Sequence, residues 1–471
     1  MADGSFFERN YRVESKNFGK LDKASSEVWI QFEPKNQETY NAIKEVLSSL
    51  GLVPDRPTTE KKMIRCFSDV IMATKSSTNG LICWPSGNDH FTGAAYGGEI
   101  ARRVKAVLAR NEIIIKHQKS SKLDKLAEIY IGIEESWMRN LCFKPHGIGP
   151  TVEVRSEKFR QGNRISGGKK MSRGRFLPKI ADLEAEVKEI NVMMLKHPLT
   201  DLGGTNFGLC KRIFNQGSLQ LGGRLYGRWQ SLKEEDRLNL LINGDAVCEI
   251  DVRAMFLSIA KAKFDTCKFP FCQDPYKLIQ FVQKSVGPDR QATMRKLAKL
   301  LVSAYLSNGK RTDRFPKGEK IGTGSHARIV SVKEKYNLPK HARAEDYYGD
   351  ILSTFPFLNG ISVNSYDLMF IESEIMVHAL IDLNRSDIVA YPVHDCLMCR
   401  QTEEDFVVKA MQRAMLAKLG SIILMEVSYP NRPTKLVNPL TAEEPVSPES
   451  AHKQSLLLDD FEVLEDFDLG E

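Results

Sequence analysis

The sequence predicts an α/β protein, and three features point there. Residues 246–251 form an apolar, strand-like run closed by Asp251, and a helix-like stretch, 254–263, follows at once. Residues 387–399 hold two short apolar runs interrupted by His394-Asp395, as at the tip of a β-hairpin. Longer stretches, 180–195 and 366–383, carry apolar residues at helical spacing.

With 471 residues, 42% of them hydrophobic, the chain is long enough for two or three domains with real cores. Its formal charge of +7 averages a basic body with an acidic end, a balance that suits a polyanionic partner. The nine cysteines lack paired spacing apart from Cys396 and Cys399, which fits free thiols in a reducing, cytoplasmic setting. That Cys-x-x-Cys lies in an apolar, strand-like run with no second pair at zinc-ribbon spacing, so buried thiols are expected there. No signal-peptide core and no apolar run of about 18 residues occurs, so no membrane anchor is expected.

In chain order, residues 1–149 read as a mixed α/β accessory region. Helix-like segments lie near 40–50 and 67–73, and a third, 99–108, carries Arg102, Arg103 and Lys105 on its polar positions. Strand-like runs at 112–115 and 127–133 follow, with a basic stretch between them. Helix, strand, basic turn, strand is the order of a winged helix, and equally that of an amphipathic helix on a small sheet with a solvated basic face. Residues 150–179 read as a flexible basic linker, in which Arg155, Lys158, Arg160, Arg164, Lys169, Lys170, Arg173, Arg175 and Lys179 face only Glu153 and Glu157. Such a segment either follows phosphates without reading bases or is a solvated hinge. Residues 180–204 are a helical, thumb-like segment, 205–436 the main α/β domain, and 437–471 an acidic tail whose composition predicts disorder.

Two aspartates ending apolar strands in a basic chain are candidates for shared metal binding. Nucleotidyl transfer needs carboxylates from separate segments to converge on two Mg2+ (or Mn2+) ions roughly 3.5–4 Å apart, and hard cations take oxygen ligands. Arg224 and Arg228, in the glycine-rich run 222–229, either contact primer or template phosphate or pair with Glu234 or Glu235. Glu372 and Glu374 either line a cleft or are solvated.

The run Gly-Gly-Arg-x-Tyr-Gly-x-Trp at 222–229, Asp251 before a helix, Asp274-Pro275-Tyr276 and His394-Asp395 together resemble the palm of family A DNA polymerases and phage-type single-subunit RNA polymerases. The likeness covers about residues 205–420 and extends to polymerase-like proteins of phages and mobile elements. It implies a right-hand palm with helical fingers and thumb, template-directed nucleotide addition with DNA slightly favoured, nucleic acid and nucleoside triphosphates as partners, and Asp251 and Asp395 as metal ligands. Arg295 and Lys299 match the family's triphosphate-binding pair. Tyr305 follows two residues closer than in the family pattern, and Leu306 replaces its glycine. Phe256 stands where the DNA polymerases carry a sugar-selecting Glu, and His394 accompanies the second aspartate. The alternative is an inactive polymerase-like palm that binds nucleic acid as a replication or regulatory factor. In the tail, residues 454–458 (Gln454, Ser455, Leu456, Leu457, Leu458) resemble peptides that dock on bacterial sliding clamps; an acidic tail shielding a basic cleft is the competing expectation.

Overall fold

The computed structural model describes residues 26–27, 32–75, 81–85, 91, 95–111, 114–119, 126–131, 135–146, 149–161, 164–202, 204, 206–267, 269–316, 318–321, 328–361 and 363–439. The clamp-like segment 454–458 and the rest of the acidic tail lie outside these residues.

The N-terminal region runs β1 (Ser26–Glu27), β2 (Phe32–Pro34), α1 (Gln37–Ser49), α2 (Pro57–Lys75), β3 (Leu81–Pro85), α3 (Gly98–Arg110), β4 (Ile114–Lys119), β5 (Leu126–Ile131), α4 (Glu135–Arg139) and β6 (Phe143–Pro145). Asn36 starts α1 by accepting the Thr39 N–H at 2.9 Å, and Ile43, Val46 and Leu47 recur on its buried face. α2 is buried on nearly all sides from Met63 to Ala73, polar Ser68 and Asp69 included, and it belongs to a core that also holds Trp84, Tyr96 and Leu108. The helix, strand, strand order expected after residue 98 is present as α3, β4 and β5. β3 adds a further strand, giving the sheet order β1-β3-β5-β4.

Next come β7 (Val152–Val154), β8 (Lys158–Gln161), β9 (Arg164–Gly167), α5 (Lys179–Lys196), β10 (Leu199–Thr200), β11 (Lys211–Phe214) and β12 (Gly222–Tyr226). The expected basic linker is therefore not a loose connection. Val152 and Val154 point into the main core while β7 pairs in parallel with β11, and β8 and β9 form an antiparallel hairpin. Two valines in alternation suffice to fix the strand, a pattern submerged in the surrounding charge. α5 buries Ile180, Val187, Ile190 and Met194 in the same core, so the thumb-like helix packs as an integral layer of the main domain.

The remainder comprises α6 (Glu234–Arg237), β13 (Leu241–Ile242), β14 (Asp245–Val252), α7 (Met255–Phe264), α8 (Gln280–Gln283), α9 (Pro288–Asn308), β15 (Glu319–Ile321), β16 (Arg328–Val330), α10 (Val332–Lys335), α11 (Glu345–Thr354), α12 (Ser365–Asn384), β17 (Tyr391–Val393), β18 (Cys396–Arg400), α13 (Glu404–Leu419), β19 (Met425–Ser428) and β20 (Lys435–Val437). A seven-stranded sheet is built around β14, which pairs antiparallel with β18 on one side and β19 on the other. Its apolar residues Val247, Cys248 and Ile250 are fully buried, as a central strand covered on both faces requires. Cys396 and Cys399 are buried free thiols in β18, and Cys399 Sγ lies 3.7 Å from Cys248 Sγ across the strand pair. α12 begins with a capping box formed by Asn364 and Asp367, and it packs against α5, α7, α13 and β12.

Candidate active site

Asp251 is the penultimate residue of β14, opposite Cys396 on one side and Glu426 on the other. Asp395 occupies the two-residue turn between β17 and β18, where His394 adopts a left-handed φ of 58°. The Val252 N–H donates to the Asp395 carbonyl at 3.2 Å, so the end of β14 is bonded to the tip of the hairpin. Beyond Val252 the chain turns through Ala254, also left-handed with φ 51°, and enters α7. A non-glycine residue in that region is strained, and such strain accumulates where a site demands a sharp exit from a strand.

This geometry brings two acids together. Burial, and then the charge of Asp395, push the Asp251 carboxyl up to about 7, while Lys299 and Arg253 oppose the shift. Both aspartates keep part of their surface accessible. Lys299 reaches toward Asp251 from α9, and Arg253 is ion-paired with Glu426. Behind Asp395, Arg224 on β12 makes a two-pronged ion pair with Glu372 on α12, at 2.5 and 2.6 Å, and its guanidinium lies 5.5 Å from the Phe256 ring. Burial raises Glu372 to about 7 even though Arg224 works to lower it. The His394 imidazole is pushed below its usual range by burial and by Arg224, and its buried Nδ1 has no hydrogen-bond partner among the described residues.

The two carboxylates make an oxygen donor set suited to a hard cation. Among the described residues no group of three or more His, Cys, Asp or Glu forms a closed metal cage. Mg2+ usually keeps several waters and is held by one or two carboxylates plus substrate phosphate, so Asp251 and Asp395 fit it as an open site.

The other expected site residues separate into three groups. Lys299 is near enough for its charge to act on Asp251, and Phe256 lies beside Arg224 at the start of α7. Arg295, one turn before Lys299 on α9, is ion-paired with Asp274 and lies 5.8 Å from the Tyr276 ring. Tyr305 is a core residue: it is 4% exposed and its hydroxyl donates to the Leu358 carbonyl at 2.6 Å, because the shortened spacing turns it away from the face of Lys299. The expectation that it binds substrate is corrected accordingly. Arg224 pairs with Glu372 rather than Glu234 or Glu235, and Arg228 is 5% exposed, packed 5.5 Å from the Phe32 ring. Neither is displayed for phosphate contact. In the basic segment, Lys169 and Arg175 are exposed, whereas Lys170 lies 3.7 Å from Glu153 and Arg173 is ion-paired with Glu184. Arg253 and Glu426 were not anticipated; the only sequence signal for Glu426 was a charge inside the apolar run 422–427.

No family model and no curated protein matches the chain. Among solved structures it is similar to the POL domain of Pol1 from M. smegmatis in complex with DNA primer-template and dNTP, with a TM-score of 0.30 and 10% identity. That likeness covers 55% of this chain and 51% of the other, so the chain spans about half the length of the structure it matches.

Proposed function

We propose that the chain is a template-directed nucleotidyltransferase that extends a primer with deoxynucleotides. The observation that carries this reading is the placement of Asp251 at the end of β14 beside the β17–β18 turn that holds Asp395, close enough for the charges of Asp395 and Lys299 both to act on Asp251. Like charges held this close in a partly buried site need a cation or a proton between them. When bound, divalent metal would lower the pKa of a primer 3′-hydroxyl and stabilise charge on the transferring phosphoryl group. Asp251 and Asp395 hold and orient that centre. Lys299 is set to receive the triphosphate, whose α-phosphorus accepts the 3′-oxygen as pyrophosphate leaves. Phe256, flanked by Arg224, supplies an apolar wall beside the acids.

Purified protein with a primed template, labelled deoxynucleotides and Mg2+ is expected to extend the primer, and EDTA to stop it. Absence of extension with either deoxynucleotides or ribonucleotides would favour the second reading, an inactive palm that binds nucleic acid. That reading draws on Arg295, already neutralised by Asp274, and on Tyr305, withdrawn into the core.

Lys299→Ala is expected to raise the apparent nucleotide KM by about tenfold with a smaller change in kcat, the order of one charge-assisted phosphate contact. Steady-state extension kinetics measure this; an unchanged KM would reduce Lys299 to a surface charge. Neutralising Lys169 and Arg175 together should weaken DNA binding equally across sequences and lower the salt slope by about 2, because exposed cations release counterions from phosphate. The already paired Lys170 and Arg173 should contribute less to that slope. A titration across salt concentrations reads both, and a slope equal to wild type would leave the segment without a phosphate role.

A further inference from the structure

The short run Arg228-Trp229-Gln230 joins two parts of the molecule that have no sequence proximity. On one side, Arg228 belongs to the N-terminal region's interior. Its guanidinium lies 5.5 Å from the ring of Phe32, which is fully buried. The backbone N–H of Phe32 donates to Asp69 Oδ1 at 2.7 Å, and the Tyr96 hydroxyl donates to Asp69 Oδ2 at 2.8 Å. Burial lowers the Arg228 guanidinium to about 10, while the carboxylates of Asp69 and Asp201 act to keep it charged.

On the other side, the next two residues hold the hairpin that carries Asp395. Trp229 Nε1 and Gln230 Nε2 both donate to the Pro392 carbonyl, at 2.8 and 2.7 Å. The Trp229 ring meets Tyr391 edge-on at 5.0 Å, and Tyr226, just before, meets His394 edge-on at 6.1 Å. Gly227 allows this turn: a Cβ there would lie 2.1 Å from the Trp229 ring. A carbonyl with two donors and a neighbouring ring packed on a buried indole leaves β17 little freedom.

We propose that Arg228 is a positioning residue through which the N-terminal region holds the Asp395 hairpin in its catalytic geometry. The proposal rests on the nucleotidyl-transfer reading for its catalytic consequence, though not for its mechanical one. A buried cation packed on an aromatic ring of one region, with its sequence neighbours bonded to the other, transmits any loosening of the contact directly to Pro392 and thence to Asp395.

The test uses the full chain and two variants, Arg228→Met and Phe32→Leu. Hydrogen exchange is read at the amides of Tyr391, Val393, His394 and Cys396 and, for comparison, along α9 and α13. The expected result is a loss of protection of about tenfold or more in the hairpin with α9 and α13 little changed. Primer extension should show a lowered kcat at an unchanged nucleotide KM, the split expected when the acids are displaced but the triphosphate contact is intact. Unchanged hairpin protection, or protection lost evenly throughout the chain, would overturn the proposal. Should Arg228→Met fail to fold, Phe32→Leu is judged by the same two criteria. A wild-type protein without extension activity would remove the nucleotidyl-transfer reading while leaving the exchange result to decide the coupling.

Discussion

If the proposed nucleotidyl transfer holds, Asp251→Asn and Asp395→Asn are each expected to lower nucleotide addition by a factor on the order of a thousand or more while leaving nucleic-acid affinity nearly intact, because each would remove a ligand to the divalent metal and leave the basic surface untouched. The same changes should act on stability in the opposite direction. In metal-free buffer the Asp251 carboxyl is held near 7 by burial and by Asp395, well above its ordinary value near 3.8. A folded-state value raised in this way means that folding favours the protonated acid. The penalty is absent below about pH 4, grows as pH rises toward 7 and is complete above that. Asp251→Asn should therefore raise the thermal midpoint by roughly a few degrees at pH 8 in EDTA and leave it unchanged at pH 4. Added Mg2+ should narrow the difference at pH 8, since the cation relieves the same repulsion in the wild type. Near wild-type extension by both variants would remove the metal-site assignment. A midpoint lowered at pH 8 would show that the two acids are not in repulsion.

The elements that carry these acids were legible because a polar residue ending a run of buried apolar ones is a local pattern. Asp251 after Val247, Cys248 and Ile250 is one instance, and His394-Asp395 between Val393 and Cys396 is another. The helices 180–195 and 366–383 were equally local, and they appear as α5 and α12 within one or two residues. Partner choice was not legible. Arg224 finds Glu372 148 residues away, and Arg228 finds Phe32 in the N-terminal region. Sequence spacing instead suggested the nearby Glu234 and Glu235. The opposite error came at residues 150–179, where abundant charge hid the two valines that set β7 into a sheet. At Tyr305 a two-residue change of spacing along α9 was enough to rotate the side chain from the site face into the core. In each case the missing information was which surfaces the fold presses together.

The largest stability effect is expected at Arg212 on β11. Its side chain is fully buried, yet it is charged. The guanidinium donates to the Gly223 carbonyl at 2.8 Å and to Glu186 at 3.1 Å, is ion-paired with Glu374 of α12, and lies 5.0 Å from the Phe214 ring. Burial works to raise the Glu374 carboxyl, but Arg212 and Lys418 more than offset it and hold its pKa below the ordinary range. One cation thus ties α5, β12 and α12 together. Gly223 is shaped around the same junction. Its φ is +75°, and a Cβ would lie 2.8 Å from Ser373 Oγ and 2.9 Å from the Phe214 ring. Arg212→Ala leaves the Gly223 carbonyl facing a cavity, while Glu186 and Glu374 keep part of their surface in water, so the expected cost is on the order of 3 kcal/mol, the low end for breaking a buried pair. Arg212→Lys should recover little of it, because an ammonium lacks the planar fork that reaches three acceptors at once. Equilibrium urea unfolding of the three proteins is the measurement, with the midpoint expected to fall sharply for both variants. If Arg212→Ala shifted it by less than the equivalent of about 1 kcal/mol, the buried network would be a passenger of the packing around it. Extension activity provides the second arm. At a temperature where Arg212→Ala remains folded, its nucleotide KM should match wild type, since Lys299 approaches from α9 and is not attached to this junction.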